Sequence, residues 1–310
     1  MKLVNYQLKG NEQQRIGFII DDYVYDVQKS YQLYSQHQGT IGQAEEIPSD
    51  PAFFFSLGNR LIQQVEAAYR YFREQPTPDW AFQRSKVRLG TPNPSPEKII
   101  CVGLNYSDHA DEMNSDVSPY PVIFAKFPNA LIGPEDMIQK SPLTNKLDYE
   151  VELVVMIGKE ASMVKQQDAY DYIAGFTIGN DISARDLQKR TPQWLQGKTL
   201  DNSTPIGPWI VTKEELANPD QLNVRSYVNG ELRQQSNTKY FIFDIPYLIE
   251  FISHIMTLKP GDLIFTGTPA GVGMGMEPQQ FLHDGDIVRL EIEGIGLLEN
   301  KVVDQQSVTD

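Results

Sequence analysis

Pro92, Pro94 and Pro96 stand at alternate positions in residues 91–97, and such a stretch can run neither as a helix nor as a central strand. The chain therefore divides there, into a small N-terminal segment, 1–95, and a larger one, 96–310. In the first, residues 4–8, 15–20 and 23–27 are short strand-like runs separated by Gly and Asp. Leu61, Ile62, Val65, Ala68, Tyr69 and Phe72 recur at helical spacing and predict an amphipathic helix over 59–74. No convergent polar side chains gather in this segment, so it reads as scaffold or as part of a subunit contact. Beyond residue 97 the pattern changes to many short apolar runs with Gly- and Pro-rich turns, at 98–102, 122–125, 152–157, 175–180, 209–212, 225–228, 262–266 and 287–292. Helical patterns intervene at 167–172 and 244–256, the second carrying Ile245, Leu248, Ile249, Ile252 and Ile255 on one stripe. The fold class is α+β, β-rich, with a small N-terminal α+β domain before the larger one.

Of 310 residues, 27 are basic and 41 acidic, a formal charge of −14. That balance argues against a nucleic-acid backbone or an anionic membrane as partner, since both reward Lys and Arg. Residues 1–10 lack the apolar core of a secretory signal. The most hydrophobic run, 151–157, is far shorter than the ~20 residues that span a bilayer. Cys101, the single cysteine, can form no intrachain disulfide, and its apolar setting reads as a small buried hydrophobe. A cytoplasmic location is expected.

The strongest local chemical feature is Asp148-Tyr149-Glu150-Val151-Glu152-Leu153-Val154-Val155. Alternation puts Val151, Leu153 and Val155 on one strand face and Glu150, Glu152 and Val154 on the other. Two carboxylates on an otherwise apolar strand are either a solvated edge or ligands of a hard divalent cation. Asp181, where the apolar run 175–180 ends, is placed to complete a three-carboxylate site. Arg185 and Asp186 read as a structural pair. His109 and Glu112, three apart, share a face if helical, as a general base with its orienting carboxylate or as an ordinary surface contact. Residues 114–121, which follow, have the composition of a mobile loop. Lys198 and Thr268 lie in Gly-containing turns of a kind that can face an anionic substrate. Gly271-Val-Gly273-Met-Gly275 follows a turn and is not a dinucleotide fingerprint.

Taken in order, the segments resemble the fumarylacetoacetate hydrolase family. The strings that carry the resemblance are Cys101-Val-Gly-Leu-Asn-Tyr-Ser-Asp-His109, Leu147-Asp-Tyr-Glu150-Val-Glu152-Leu, Gly179-Asn-Asp181-Ile-Ser-Ala-Arg185-Asp-Leu-Gln188, Gly197-Lys198-Thr-Leu-Asp, Val228-Asn-Gly-Glu-Leu-Arg233 and Thr266-Gly-Thr268-Pro-Ala-Gly-Val-Gly273. They span roughly residues 98–303, and the likeness is closest to the oxaloacetate decarboxylase and acylpyruvase branch. The resemblance implies a mixed β-roll catalytic domain, a homodimer, and one Mg²⁺ or Mn²⁺ per chain held by Glu150, Glu152 and Asp181. It further implies a His109–Glu112 dyad on a lid, and substrate contacts from Lys198, Gln188 and Thr268, with Arg185 and Lys126 as lesser candidates. Asn202 departs from the threonine that relatives often carry four residues after the lysine.

The expected substrate is a small 2-oxo acid. The ion would draw charge from its 2-oxo group as the C3–C4 bond breaks, leaving the enolate of pyruvate. In acylpyruvates, water activated by His109 would attack C4 and Lys198 would stabilise the oxyanion; in oxaloacetate, CO₂ would leave instead. The same fold and ion could also serve sugar-acid dehydration or isomerisation of 2-oxo-diene-dioates. A non-catalytic scaffold holding a structural ion is a third reading, although it would need neither His109, Glu112 nor Lys198.

Overall fold

A computed structural model describes residues 1–40, 47–112, 118–216 and 218–305. It is β-rich, with mixed sheets and few helices, and residues 114–117 of the expected loop at 114–121 lie outside the described residues.

Its centre is the strand Val151–Ile157, buried along its whole length. It pairs antiparallel with Ile173–Asn180 on one side and with Leu263–Phe265 on the other. Leu263–Phe265 in turn runs parallel to Ile99–Gly103, which carries the antiparallel edge strand Val122–Lys126. On the opposite flank Ile173–Asn180 pairs with Thr204–Thr212, and that strand pairs with Lys2–Leu8. Thus the strands Lys2–Leu8, Arg15–Ile20 and Tyr23–Asp26 continue the same large sheet across the proline-marked boundary.

Alternation along the central strand builds a core on each face. Val151, Leu153, Val155 and Ile157 pack in one cluster with Val224, Val288 and Leu290 of a second, five-stranded sheet and with Ile249 and Ile252. The last two belong to the helix Ile245–Ile255, whose N-cap Asp244 accepts the Tyr247 N–H. Val154 and Met156 point the other way, into a cluster with Leu3, Phe18, Leu61 and Val65 from the N-terminal segment. The helix expected over 59–74 is Asn59–Arg73, and its apolar stripe is the part buried there. Residues 166–172 form a 3₁₀ segment, Gln166–Tyr172, in place of the expected α-helix.

Candidate metal centre and proton-transfer dyad

Glu150 and Glu152 share the face of the central strand that carries Val154, and Asp181 follows the neighbouring strand at its end. The Asp181 N–H donates to the Glu150 carbonyl at 2.9 Å, which draws the two segments together. One carboxylate oxygen from each of the three residues lies within 4.8 Å of the others, and all three side chains are buried. The solvated-edge reading of the two glutamates is therefore wrong.

Basic side chains surround the triad. Lys198 Nζ donates to Glu150 Oε2 at 2.8 Å and to Asp181 Oδ2 at 2.7 Å. Lys126 Nζ donates to Asp181 Oδ1 at 2.8 Å and to the Ile182 carbonyl. Arg185 Nη2 stands 2.7 Å from Glu150 Oε1, a charge contact not aligned as a hydrogen bond. Burial alone would raise the Glu150 pKa, but Lys198 and Arg185 outweigh it and hold the carboxyl well below its usual range. Glu152 goes the other way. Burial, and then the charges of Asp181 and Glu150, push it well above its usual value, with the Gly267 N–H at 2.8 Å as partial compensation. A hard divalent cation answers that arrangement: the donors are all carboxylate oxygens, and the ion would relieve both the burial cost and the mutual repulsion.

His109 and Glu112 lie on the short helix Ser107–Glu112, with His109 Nδ1 3.0 Å from Glu112 Oε2. A carboxylate can only accept, so Nδ1 carries the hydrogen and Nε2 is the nitrogen left for a reactant. The other oxygen, Glu112 Oε1, accepts the Gly271 N–H at 2.8 Å. His109, the three carboxylates and Lys198 line a single cavity of ≈ 160 Å³, with Phe124, Trp194 and Met274 as apolar wall. Small beside the ~300 Å³ at the lower end for drug-sized ligands, it suits a molecule of a few carbon atoms.

The sequence model described as Fumarylacetoacetate (FAA) hydrolase C-terminal matches residues 98–303, about two thirds of the chain. The chain belongs to the fumarylacetoacetate hydrolase family. It is 40% identical over 294 residues to a protein named oxaloacetate tautomerase YisK of Bacillus subtilis, covering 93% of this chain and 95% of that one. Among solved structures it is similar to fumarylacetoacetate hydrolase from Exiguobacterium antarcticum, at TM-score 0.76 and 35% identity, covering 98% of this chain and 100% of that one. It is also similar to maleylpyruvate hydrolase from Sphingobium sp. SYK-6 in complex with manganese (II) ion and pyruvate. There the TM-score is 0.73 and the identity 28%, over 99% of this chain and 100% of the other. The protein is thus an enzyme of this family, with a buried acidic triad able to hold a metal ion.

Of the site residues expected for the family here, eight line the one cavity: Glu150, Glu152, Asp181, Lys198, His109, Arg185, Gln188 and Thr268. Glu112 stands behind His109. Lys126 does not line the cavity; it is fully buried and braces Asp181 from the far side. Thr268 spends its hydroxyl on the protein, donating to the Val151 carbonyl and accepting from Gln234 Nε2. Lys198 closes the short helix Leu195–Lys198 and is not in a turn. The expected Arg185–Asp186 pair does not form. Arg185 Nε donates to Asp148 Oδ2 at 2.8 Å, while Asp186 accepts the Thr144 hydroxyl and the Asn145 N–H. Asn202 lies outside the cavity lining and takes a left-handed turn conformation, φ 50°, which asparagine tolerates well.

Two residues escaped sequence reasoning. Asp148 accepts the N–H groups of Gly273 and Met274 as well as Arg185, tying the glycine loop to the site. Its signal was its place in the same acidic string as Glu150. Gln234 accepts the Val151 N–H through Oε1 and donates to Thr268 and to the Pro269 carbonyl through Nε2. Its only signal was adjacency to Arg233 in a polar stretch.

Proposed function

We propose that this enzyme transfers a proton at C3 of a small 2-oxo acid of the oxaloacetate type, with Mg²⁺ or Mn²⁺ held by Glu150, Glu152 and Asp181. One observation carries the reading: the imidazole of His109, oriented by Glu112, shares a small cavity with the acidic triad and Lys198. The name of the Bacillus subtilis relative supports it, because interconverting the enol and keto forms of oxaloacetate is such a proton transfer.

When bound, the ion supplies a Lewis acid that favours negative charge on the 2-oxo oxygen. His109 Nε2 takes the proton from one position and returns it at another, and Glu112 holds the ring for both. Lys198 has three N–H donors and uses two on Glu150 and Asp181, so the third is left for a substrate oxygen. Gln188 accepts from Arg185 Nη1 through Oε1, which leaves its amide N–H₂ to donate to a carboxylate. Phe124, Trp194 and Met274 limit the water around these groups.

A second reading keeps the same machinery and breaks the C3–C4 bond, releasing pyruvate by hydrolysis or decarboxylation. It is favoured by the similarity to a maleylpyruvate hydrolase crystallised with manganese and pyruvate. Following enol absorbance and pyruvate in one sample of oxaloacetate separates the two. Metal-loaded protein should speed loss of the enol without matching pyruvate release. EDTA should abolish the effect, and His109→Ala should slow it by roughly 10²-fold or more. Pyruvate appearing in step with enol loss supports cleavage, and an enol unaffected by the loaded protein defeats both readings.

A further inference from the structure

The charges around the inner cavity are nearly balanced. Glu150, Glu152 and Asp181 line it with Lys198 and Arg185, while Lys126 behind Asp181 and Asp148 behind Arg185 lie just outside, so four buried acids meet three buried cations. A divalent ion would leave one positive charge, enough for the 1-carboxylate of a 2-oxo acid and no more. A second carboxylate, at C4, needs another partner.

Such a group lines the same cavity. Lys189 follows Gln188 at the end of the helix Arg185–Gln188, where its backbone N–H donates to the Arg185 carbonyl. Its side chain is exposed and makes no hydrogen bond or ion pair among the described residues, whereas Lys126 is buried against Asp181 and Lys198 is tied to Glu150 and Asp181, with one N–H left for the inner end of the substrate. Further along the same connection, Trp194 closes the cavity. Its ring lies so close to Gly103 that a Cβ there would fall 2.5 Å from it, and it meets Phe124 edge-on at 5.3 Å.

Resting on the function proposed above, we propose that the Lys189–Trp194 connection is the specificity element of this enzyme: Lys189 binds the distal carboxylate of a four-carbon 2-oxo diacid, and Trp194 excludes acids with a bulkier group at C4.

The test compares oxaloacetate with 2,4-dioxopentanoate, whose distal group is an uncharged acetyl. Lys189→Met should raise KM for oxaloacetate by roughly tenfold, as expected for one charge-assisted contact at an open rim, and leave KM for 2,4-dioxopentanoate unchanged. Calorimetry should agree without turnover: Mn²⁺-loaded Lys189→Met should lose affinity for malate, which keeps the distal carboxylate, and bind oxalate as wild type does. Trp194→Ala, or Trp194→Leu where the first does not fold, should raise kcat/KM for an aryl dioxo acid relative to oxaloacetate at least tenfold. Equal effects of Lys189→Met on both acids, or none on either, overturn the assignment of Lys189. Continued exclusion of the aryl acid overturns that of Trp194. Wild-type protein that binds Mn²⁺ but turns over neither acid sinks the proposed function itself, and this inference with it.

Discussion

Val151 stands between the two glutamates, and both of its peptide groups are held by side chains. Gln234 Oε1 accepts its N–H at 3.1 Å, Thr268 Oγ1 donates to its carbonyl at 3.0 Å, and Gln234 Nε2 joins the pair by donating to Thr268. The strand Leu263–Phe265 pairs with the central strand only from Val154 onward, so these side chains replace a missing ladder where the ligands emerge. Gln234→Leu keeps the volume and removes the clamp. It should weaken Mn²⁺ binding, read from the free-ion paramagnetic resonance signal, by about 10–100-fold. A lower unfolding temperature with unchanged Mn²⁺ affinity would reduce Gln234 to a packing residue. Glu152 leads to a second expectation. Because its carboxyl is held above the usual range without an ion, binding must displace a proton. Affinity should therefore rise with pH until that group ionises and level off above, and adding Mn²⁺ to weakly buffered protein should acidify it.

At the scale of elements, the helix Ser107–Glu112 is fastened at two points, Glu112 to the Gly271 N–H and Asp108 Oδ2 to the Ser236 hydroxyl at 2.6 Å. The glycine loop leaves no space around the first: a Cβ on Gly275 would come within 2.5 Å of the Glu112 carboxyl. Gly275→Ala should push Glu112 off His109 and lower kcat at least tenfold while Mn²⁺ affinity stays as it was, a split that steady-state kinetics and metal titration resolve. Gly273 is likewise packed against the Gln280 carbonyl and Asp148, and Gly271 against the backbone of Arg233, so the glycine loop serves close packing around the site.

Elements with clean apolar alternation were legible from sequence, and so were the residues whose chemistry is costly to bury, namely Glu150, Glu152 and Asp181. Glu231–Asn237 was missed because its residues are almost all polar and it pairs as an edge strand. Thr204–Thr212 was read only from residue 209, since Pro205 and Pro208 disguise a strand that pairs on both sides. The partners of Arg185 were invisible for another reason: spacing along the chain cannot show that Asp148, 37 positions earlier, lies closer in space than the adjacent Asp186.

On the scale of the whole molecule, residues before the proline run supply both a neighbouring strand and half of a core. Leu3 pairs with Ile210, and Leu3, Phe18, Leu61 and Val65 cover the face that holds Val154 and Met156. A fragment of residues 96–310 would bare that face and leave part of Thr204–Thr212 unpaired. Such a fragment should aggregate or bind a hydrophobic dye, as light scattering and fluorescence will show. A monodisperse, active fragment would establish that the second segment folds by itself.

Cys101 sits on Ile99–Gly103 with no solvent exposure, and burial pushes its thiol far above the usual range. With no other sulfhydryl in 310 residues, the native chain is already a blank for thiol-directed labelling. A cysteine introduced at exposed Ser107 would be the sole site to react, so a spin label or fluorophore could report on the His109 helix with no background to engineer away.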